Sequence, residues 1–356
     1  MTRPAFLSDN EAGTDPRILA ALVAANEGLA LPYGADDLSA QARALCCEVF
    51  EREVFVFPTP TGTAANGLSL AALTPPYGAI LCHEAAHILT SEAGAAEFFT
   101  SGARLIALPG AEGRFSAETL RAALESIAAD GVRQPRPAAI SLTQASESGT
   151  VYTLAETREI AGIAHGAGLR VHMDGARFAN ALVHLGCPPA EATWKAGVDI
   201  LSFGLTKNGG MNTDAIIVFD AGIAAELNHR CKRAGLAQSK MRFASAQILA
   251  SLAGGLWLDN ARRANANAQR LAGALAGCAG ATLAQPVEAN EIFVCLPEPV
   301  LAALAGAGIV LRPWPGPQPG LCRLVTSFAD DEALIARFLA VVAPYSSQPV
   351  TTPLTS

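Results

Sequence analysis

The chain has 356 residues, 51% hydrophobic and 16% charged, with a formal net charge of −7. This excludes a disordered chain and supplies a core for two domains, or for one large domain with an appendage. The acidic balance and the lack of a lysine-rich run argue against nucleic acid, and no apolar stretch nears the roughly 20 residues of a membrane span.

Residues 1–30 lack the basic-then-apolar pattern of a secretory leader. The eight cysteines are scattered, with no C-x-x-C pair, as expected of buried reduced thiols. The expected location is the cytoplasm.

Short apolar runs at Glu53–Phe57, Ala79–Cys82, Arg104–Leu108, Ala138–Leu142, Leu169–Met173, Asp199–Phe203 and Asp214–Phe219 read as strands. Helix formers fill Ala117–Asp130 and Leu154–His165 between them. This alternation predicts an α/β fold, a mostly parallel seven-stranded sheet with helices on both faces. Helices are expected next at Glu226–Ala234 and Met241–Ala276, the second broken at Gly254–Gly255.

The rhythm then changes. Strands are expected at Glu291–Leu296, Ile309–Arg312 and Leu321–Phe328, and a loop at Pro313–Pro319. Asp330 and Asp331 can cap a last helix, Glu332–Val342. The expected division is 1–254 for an N-terminal arm and large domain, 255–345 for a small α+β domain, and 346–356 for a frayed tail.

In open α/β sheets, ligands bind at the carboxyl ends of strands. Four such ends carry polar clusters. T-G-T-A-A-N (61–66) lies between a strand and a helix. Gly62 would admit close backbone approach, Thr63 would add a hydroxyl, and the helix start would offer free N–H groups to an anion. An ordinary capped turn reads equally from these residues.

H-M-D-G-A-R (172–177) ends an apolar strand in Asp174, placed to meet a cationic ring nitrogen, a metal or a ribose, or simply to cap a helix. S-F-G-L-T-K-N-G-G (202–210) sets Lys207 after a buried strand. A lysine kept from water gives up its proton more readily, and its free amine can form an imine with an aldehyde. The other three lysines, Lys195, Lys232 and Lys240, lie in helical or basic, solvated contexts. H-E-A-A-H (83–87) matches the zinc-protease spacing but lacks the extended third histidine, position 93 being Ala93. A zinc hydrolase, or a non-catalytic ligand sensor on the same fold, are the alternatives.

Taken together these clusters resemble the threonine aldolases, a family of fold-type-I pyridoxal-phosphate enzymes, and more narrowly the low-specificity L-threonine and phenylserine aldolases. The likeness runs through S-D-N (8–10), Y-G-x-D (33–36), T-G-T-A-A-N, C-H-x-x-x-H (82–87), S-E-A-G-A (91–95) and S-L-T-Q-A-S-E (141–147). It continues in H-M-D-G-A-R-F-A-N-A (172–181), T-W-K-A-G-V-D (193–199), T-K-N-G (206–209), S-K-M-R-F (239–243) and V-T-S-F (325–328).

The resemblance implies that Lys207 carries pyridoxal phosphate and that Asp174 binds its pyridinium nitrogen. It implies that Gly62, Thr63 and Thr206 hold the phosphate, with Lys240 adding charge from a neighbouring subunit, and that His87 stacks on the ring. Ser8, Arg177 and Arg323 would grip the substrate carboxylate, Arg177 lying beside the cofactor as well. Tyr33 would reach into a partner's site, so the chain is expected as a homodimer or homotetramer. The implied reaction is retro-aldol cleavage of a β-hydroxy-α-amino acid of threonine, allo-threonine or phenylserine type to glycine and an aldehyde. His87 and Glu92 are the candidate bases for the β-hydroxyl proton.

Two departures stand out. Where relatives carry a second histidine facing the substrate hydroxyl, the matching position here is Arg133, expected either at the substrate or in the surface loop between Asp130 and Pro137. Asp214 stands where relatives carry Glu.

Overall fold

A computed structural model describes residues 5–316 and 318–346. The expected tail, Ser346 apart, lies outside them.

The large sheet holds seven strands: β1 (Phe55–Thr59), β2 (Gly78–His83), β3 (Arg104–Leu108), β4 (Arg136–Thr143), β5 (Arg170–Gly175), β6 (Ile200–Phe203) and β7 (Asp214–Val218). Their order is β1-β7-β6-β5-β4-β2-β3, and β7 alone is reversed. β2, β6 and β7 are buried along their whole length and β5 from its second residue on. This explains their reading as continuous apolar runs rather than alternating ones.

Each expected strand of this sheet is present. β1 starts two residues later than the apolar pattern suggested and takes in Pro58. As the edge strand it can spare the missing N–H.

The register defines a rim. Thr143 pairs with Asp174, Asp174 with Ser202, and Gly175 with Phe203. Because β7 is reversed, its first residue, Asp214, comes to this same end of the sheet and pairs with Thr59 of β1. Inside the sheet, His172 is wedged between Ser141 Oγ and Ser202 Oγ at 2.9 Å each. Burial pushes its imidazole down to about 4, so it is a neutral brace across three strands.

The large core packs Leu81, Ile140, Met173, Phe178, Phe203, Ile217 and Trp257. A second core forms around a four-stranded antiparallel sheet of order β10-β11-β9-β8: β8 (Thr282–Leu283), β9 (Glu291–Cys295), β10 (Arg312–Pro313) and β11 (Leu321–Val325). Only two residues of the expected strand Ile309–Arg312 and its continuation pair in this sheet. Val310 instead accepts from the backbone of Ala5, and Phe6 fills the second core with Leu324 and Phe338. The N-terminal arm thus joins the small sheet.

The expected long helix is two, Arg242–Leu252 and Leu256–Ala276, broken where Gly254 and Gly255 take φ of 62° and 78°. The second helix ties the two cores together, Trp257 and Ala261 in the large one and Ala268, Leu271 and Leu275 in the small one. Asp331 caps the last helix by accepting from Ala333 N, while Asp330 holds Ser327. Helices at Pro16–Ala25, Asp37–Val49, Phe178–Leu185 and Glu298–Gly306 were not anticipated. No described helix is long and apolar enough to cross a membrane, and all eight cysteines are free.

Tyr152 supports the loop after β4. Its buried hydroxyl accepts from Phe115 N at 2.9 Å, and its backbone is clasped by the Gln144 amide. Tyr152→Phe should cost about 1–3 kcal/mol by leaving the Phe115 N–H unpaired. Urea unfolding checks this; a loss under about 0.5 kcal/mol would show that another acceptor takes over.

Candidate functional site

The carboxyl rim of the large sheet opens into a cavity of about 250 Å³. Its walls include Gly62, Thr63, His87, Glu147, Asp174 and Lys207.

Lys207 follows β6 in a single 3-10 turn, Thr206–Asn208. The turn is pinned at both sides: Gly210 N donates to Leu205 O at 2.9 Å, and Asn208 Nδ2 donates to Trp257 O at 2.7 Å. Gly209 is required here. Its φ is 107°, and a Cβ would stand 3.0 Å from Asn260 Nδ2 and 3.1 Å from Asp15 Cβ. The Lys207 side chain is half-buried and forms no salt bridge among the described residues. Lys195, by contrast, pairs with Glu51 and Glu191 at the surface.

Asp174, at the end of β5, is buried and accepts from Ala176 N at 3.0 Å and Asn66 Nδ2 at 2.8 Å. Asn66 also donates to Glu92 Oε1 at 2.9 Å, which in turn pairs with His87 Nδ1 at 2.8 Å. A continuous polar chain therefore links Asp174 to the imidazole. The Glu92 side chain has no exposed surface, whereas 41% of the His87 side chain is exposed. The Glu92 hydrogen bond raises the His87 pKa. Burial opposes that, and Glu147, Glu92 and Asp174 add to it by their charge.

The helix Gly62–Leu73 begins at the rim, and Thr61 caps it by accepting from Ala64 N. This leaves the N–H groups of the first turn facing an anion-sized space. A Cβ at Gly62 would meet only Asp214 Oδ2, at 3.9 Å. Thr206 Oγ1 is buried with no hydrogen-bond partner among the described residues, and Asp214 Oδ1 orients its backbone by accepting from Leu205 N and Thr206 N. An orphaned hydroxyl beside free helical N–H groups fits a phosphate. A buried carboxylate fits a protonated ring nitrogen, and a lysine free of salt bridges fits an aldehyde. The residues present therefore suit pyridoxal phosphate.

Arg177 is buried in the cavity wall, bidentate to Asp9 at 2.8 and 3.0 Å and 3.2 Å from Glu291. Burial disfavours its charge, but Asp9 and Glu291 outweigh burial and hold it protonated. Burial likewise opposes the Asp9 charge, which Arg177 and Lys207 restore. Arg323 lies across Glu291 at 3.5 Å, its guanidinium 4.4 Å above the Trp314 ring. Ser8 caps the short turn that carries Asp9, accepting from Asn10 N at 3.2 Å. Ser8, Arg177 and Arg323 thus converge on one side, joined by Asp9 and Glu291.

Five expected residues, Ser8, Arg323, Tyr33, Lys240 and Arg133, are not among those lining this chain's own cavity. Tyr33 is exposed, with Lys232 Nζ 4.5 Å above its ring, and its N–H donates to Ser239 O, next to Lys240. Arg133 takes the second of its two expected places, the surface loop, and not the substrate site. It sits in the turn before β4, 78% exposed, bonded to the carbonyl and carboxylate of Asp130. The eight residues of β4 separate that turn from the rim by roughly 25 Å. Arg133→His should leave diastereomer preference and pH profile unchanged, as read by kcat/KM on both diastereomers of phenylserine; a shift in either would place Arg133 at the substrate.

The zinc-like spacing has no zinc-like geometry. His83 ends β2, with its ring nitrogens engaged by Gly110 O and Ala85 N, while His87 opens a separate four-residue helix. The two do not share a helix face.

Four residues of the site went unassigned from sequence: Asp9, Asn66, Glu147 and Glu291. Asp9, Asn66 and Glu147 lie inside quoted motifs, and a buried carboxylate or amide beside a strand end was the available signal. Glu147 Oε1 accepts from His87 N at 3.2 Å. Burial first, then Asp174 and Glu291, pushes its carboxyl up to about 7 against the pull of Arg177 and His87.

Residues 5–298 match the family model described as beta-eliminating lyase. The chain is 40% identical over 335 residues to a low specificity L-threonine aldolase of Pseudomonas sp. (strain NCIMB 10558), covering 94% of this chain and 96% of that one. It is 42% identical over 303 residues to the low specificity L-threonine aldolase of Pseudomonas aeruginosa, covering 85% and 87%. The structure superposes on that of a Leishmania major threonine aldolase with a TM-score of 0.89 at 26% identity, covering 96% and 99%.

Proposed function

Since the chain belongs to the threonine aldolases of the beta-eliminating lyase family, fold-type-I enzymes that use pyridoxal phosphate, we propose that it cleaves β-hydroxy-α-amino acids to glycine and an aldehyde. Threonine is the first substrate to expect, with allo-threonine and phenylserine as further ones. The observation that carries this reading is the single cavity onto which Lys207, Asp174, His87 and the Gly62–Thr63–Thr206 cradle all open.

When bound, pyridoxal phosphate supplies an aldehyde for the amine and a conjugated ring that takes up the electron pair of the broken bond. Lys207 holds it until substrate arrives. Asp174 keeps a proton on the ring nitrogen, its own carboxylate being fixed by Asn66 and Ala176. Thr63, Thr206 and the first turn of the Gly62–Leu73 helix bind the phosphate. His87 would cover the ring, held by Glu92, which acts as a positioning residue because its side chain has no exposed surface and its Oε1 is engaged by His87 and Asn66.

Ser8, Arg177 and Arg323 bind the substrate carboxylate. Besides stacking on Trp314, Arg323 makes a 3.5 Å contact to Glu291 and one to Leu7 O at 3.3 Å, and its Nε has no hydrogen-bond partner among the described residues, so its planar fork has donors to give. Arg323→Lys should raise KM about tenfold or more with a smaller change in kcat. An unchanged KM would show that Arg323 faces elsewhere.

Tyr33 and Lys240, adjacent on a surface away from this chain's cavity, suit contribution to a neighbouring subunit's site in a homodimer or homotetramer. The deciding experiment is incubation of the holoenzyme with L-threonine, L-allo-threonine and phenylserine, following glycine and aldehyde. Release of ammonia and a keto acid with no glycine would replace the aldolase reading by β-elimination.

A further inference from the structure

We infer that Glu147 is the base that takes the β-hydroxyl proton of the substrate. This rests on the aldolase reading above. Glu147 lines the cavity with Lys207 and Asp174. It stands on a tight turn closed by Ser146 N to Thr150 O at 2.8 Å and Gly149 N to Ser146 O at 3.0 Å. That turn is seated on β9: Gly149 has φ of 74°, and a Cβ there would come 3.0 Å from Glu291 Cβ and 3.1 Å from Glu291 O. The residue is therefore fixed at its backbone by the turn and at its carboxylate by His87 N, which donates to Oε1. Oε2 takes no hydrogen bond among the described residues, although the side chain lies against the cavity.

The two other candidates are less suited. Glu92 also lies in the cavity wall, but its side chain has no exposed surface and it gives its Oε1 to Asn66 and His87. His87 is held toward its charged form by Glu92 and by the acidic groups around it, and a charged imidazole has no lone pair for a proton. Glu147 faces Asp174 on β5, Glu291 on β9, Arg177 after β5 and His87 after β2. Burial and the two carboxylates keep its proton affinity high, while Arg177 and His87 keep part of it ionised near neutrality.

In the step, the substrate O–H proton passes to Glu147 Oε2 and the oxygen's pair becomes the aldehyde C=O. The Cα–Cβ pair is released to the α-carbon, whose charge pyridoxal phosphate, when bound, would take up. Glu147 returns its proton to solvent, and the α-carbon takes one from solvent to give glycine.

The test compares wild-type, Glu147→Gln and His87→Asn holoenzymes. Glu147→Gln should lower kcat for threonine and phenylserine cleavage by about hundredfold or more. It should keep the visible cofactor band, and keep exchange of the glycine α-proton with deuterium within a few-fold, since that exchange involves no β-oxygen. The rising limb of kcat/KM near pH 7 should vanish in Glu147→Gln and persist, at lower rate, in His87→Asn.

A further readout needs no turnover. Because folding raises the Glu147 pKa from an ordinary 4.5 to about 7, its charge costs stability above that window and none below it. Glu147→Gln should therefore melt higher than wild type at pH 8, with the gap closing toward pH 4.5.

Cleavage within threefold of wild type in Glu147→Gln, a pH limb that follows His87, or a melting gap independent of pH would overturn the assignment. A wild-type enzyme that releases no glycine from any β-hydroxy amino acid would instead overturn the aldolase reading itself.

Discussion

Lys207→Ala should abolish turnover, leaving no more glycine release than the cofactor free in solution produces. The other three lysines cannot substitute. Lys195 is tied to Glu51 and Glu191 on the far side of the large core, Lys232 rests on Tyr33, and Lys240 lies in an exposed turn. Lys207 alone among them opens on the cavity. Borohydride reduction of the native enzyme should fix the cofactor to the peptide carrying Lys207. Recovery of label at Lys195, Lys232 or Lys240 would remove the assignment.

Asp174→Asn should keep the cofactor bound and reduce the rate by roughly hundredfold or more, the scale of losing one aligned electrostatic partner at a reacting centre. The carboxylate receives Asn66 Nδ2 and Ala176 N and still has lone pairs for a ring N–H. An amide offers a single acceptor oxygen to those donors, and its NH2 group is turned toward one of them. It also brings no charge to hold the ring proton. A variant within threefold of wild type, with its visible band unchanged, would exclude the pyridinium role.

The large sheet was readable from sequence because fully buried strands leave continuous apolar runs, and Gly and Pro mark where they stop. The same ends carried Thr61–Thr63, Asp174 and Lys207, so the rim of the site was legible from local patterns. The small domain was less so. Ile309–Leu311 is apolar because it faces the second core, yet its backbone partner is Ala5, more than 300 residues away along the chain. The N-terminal helices were missed since their apolar faces are short.

What the sequence determined by itself was the seven strands of the large sheet, the cofactor class by resemblance, and the lysine and aspartate proposed to serve it. What only the tertiary structure decided was which charges meet. Asp9 reaches Arg177 across 168 positions, Glu291 stands between Arg177 and Arg323, and Asn66 joins Asp174 to Glu92. Such pairings depend on how separate strand ends are brought to one rim, and no periodicity along the chain encodes them. Arg133 shows the converse. Matched by spacing either to the substrate or to the loop before β4, it lies in that loop, because position along a strand, not proximity in sequence, sets distance from the rim. The buried carboxyl that does face the cavity, Glu147, comes after the end of that same strand, and its raised proton affinity exists only once Asp174 and Glu291 are packed beside it.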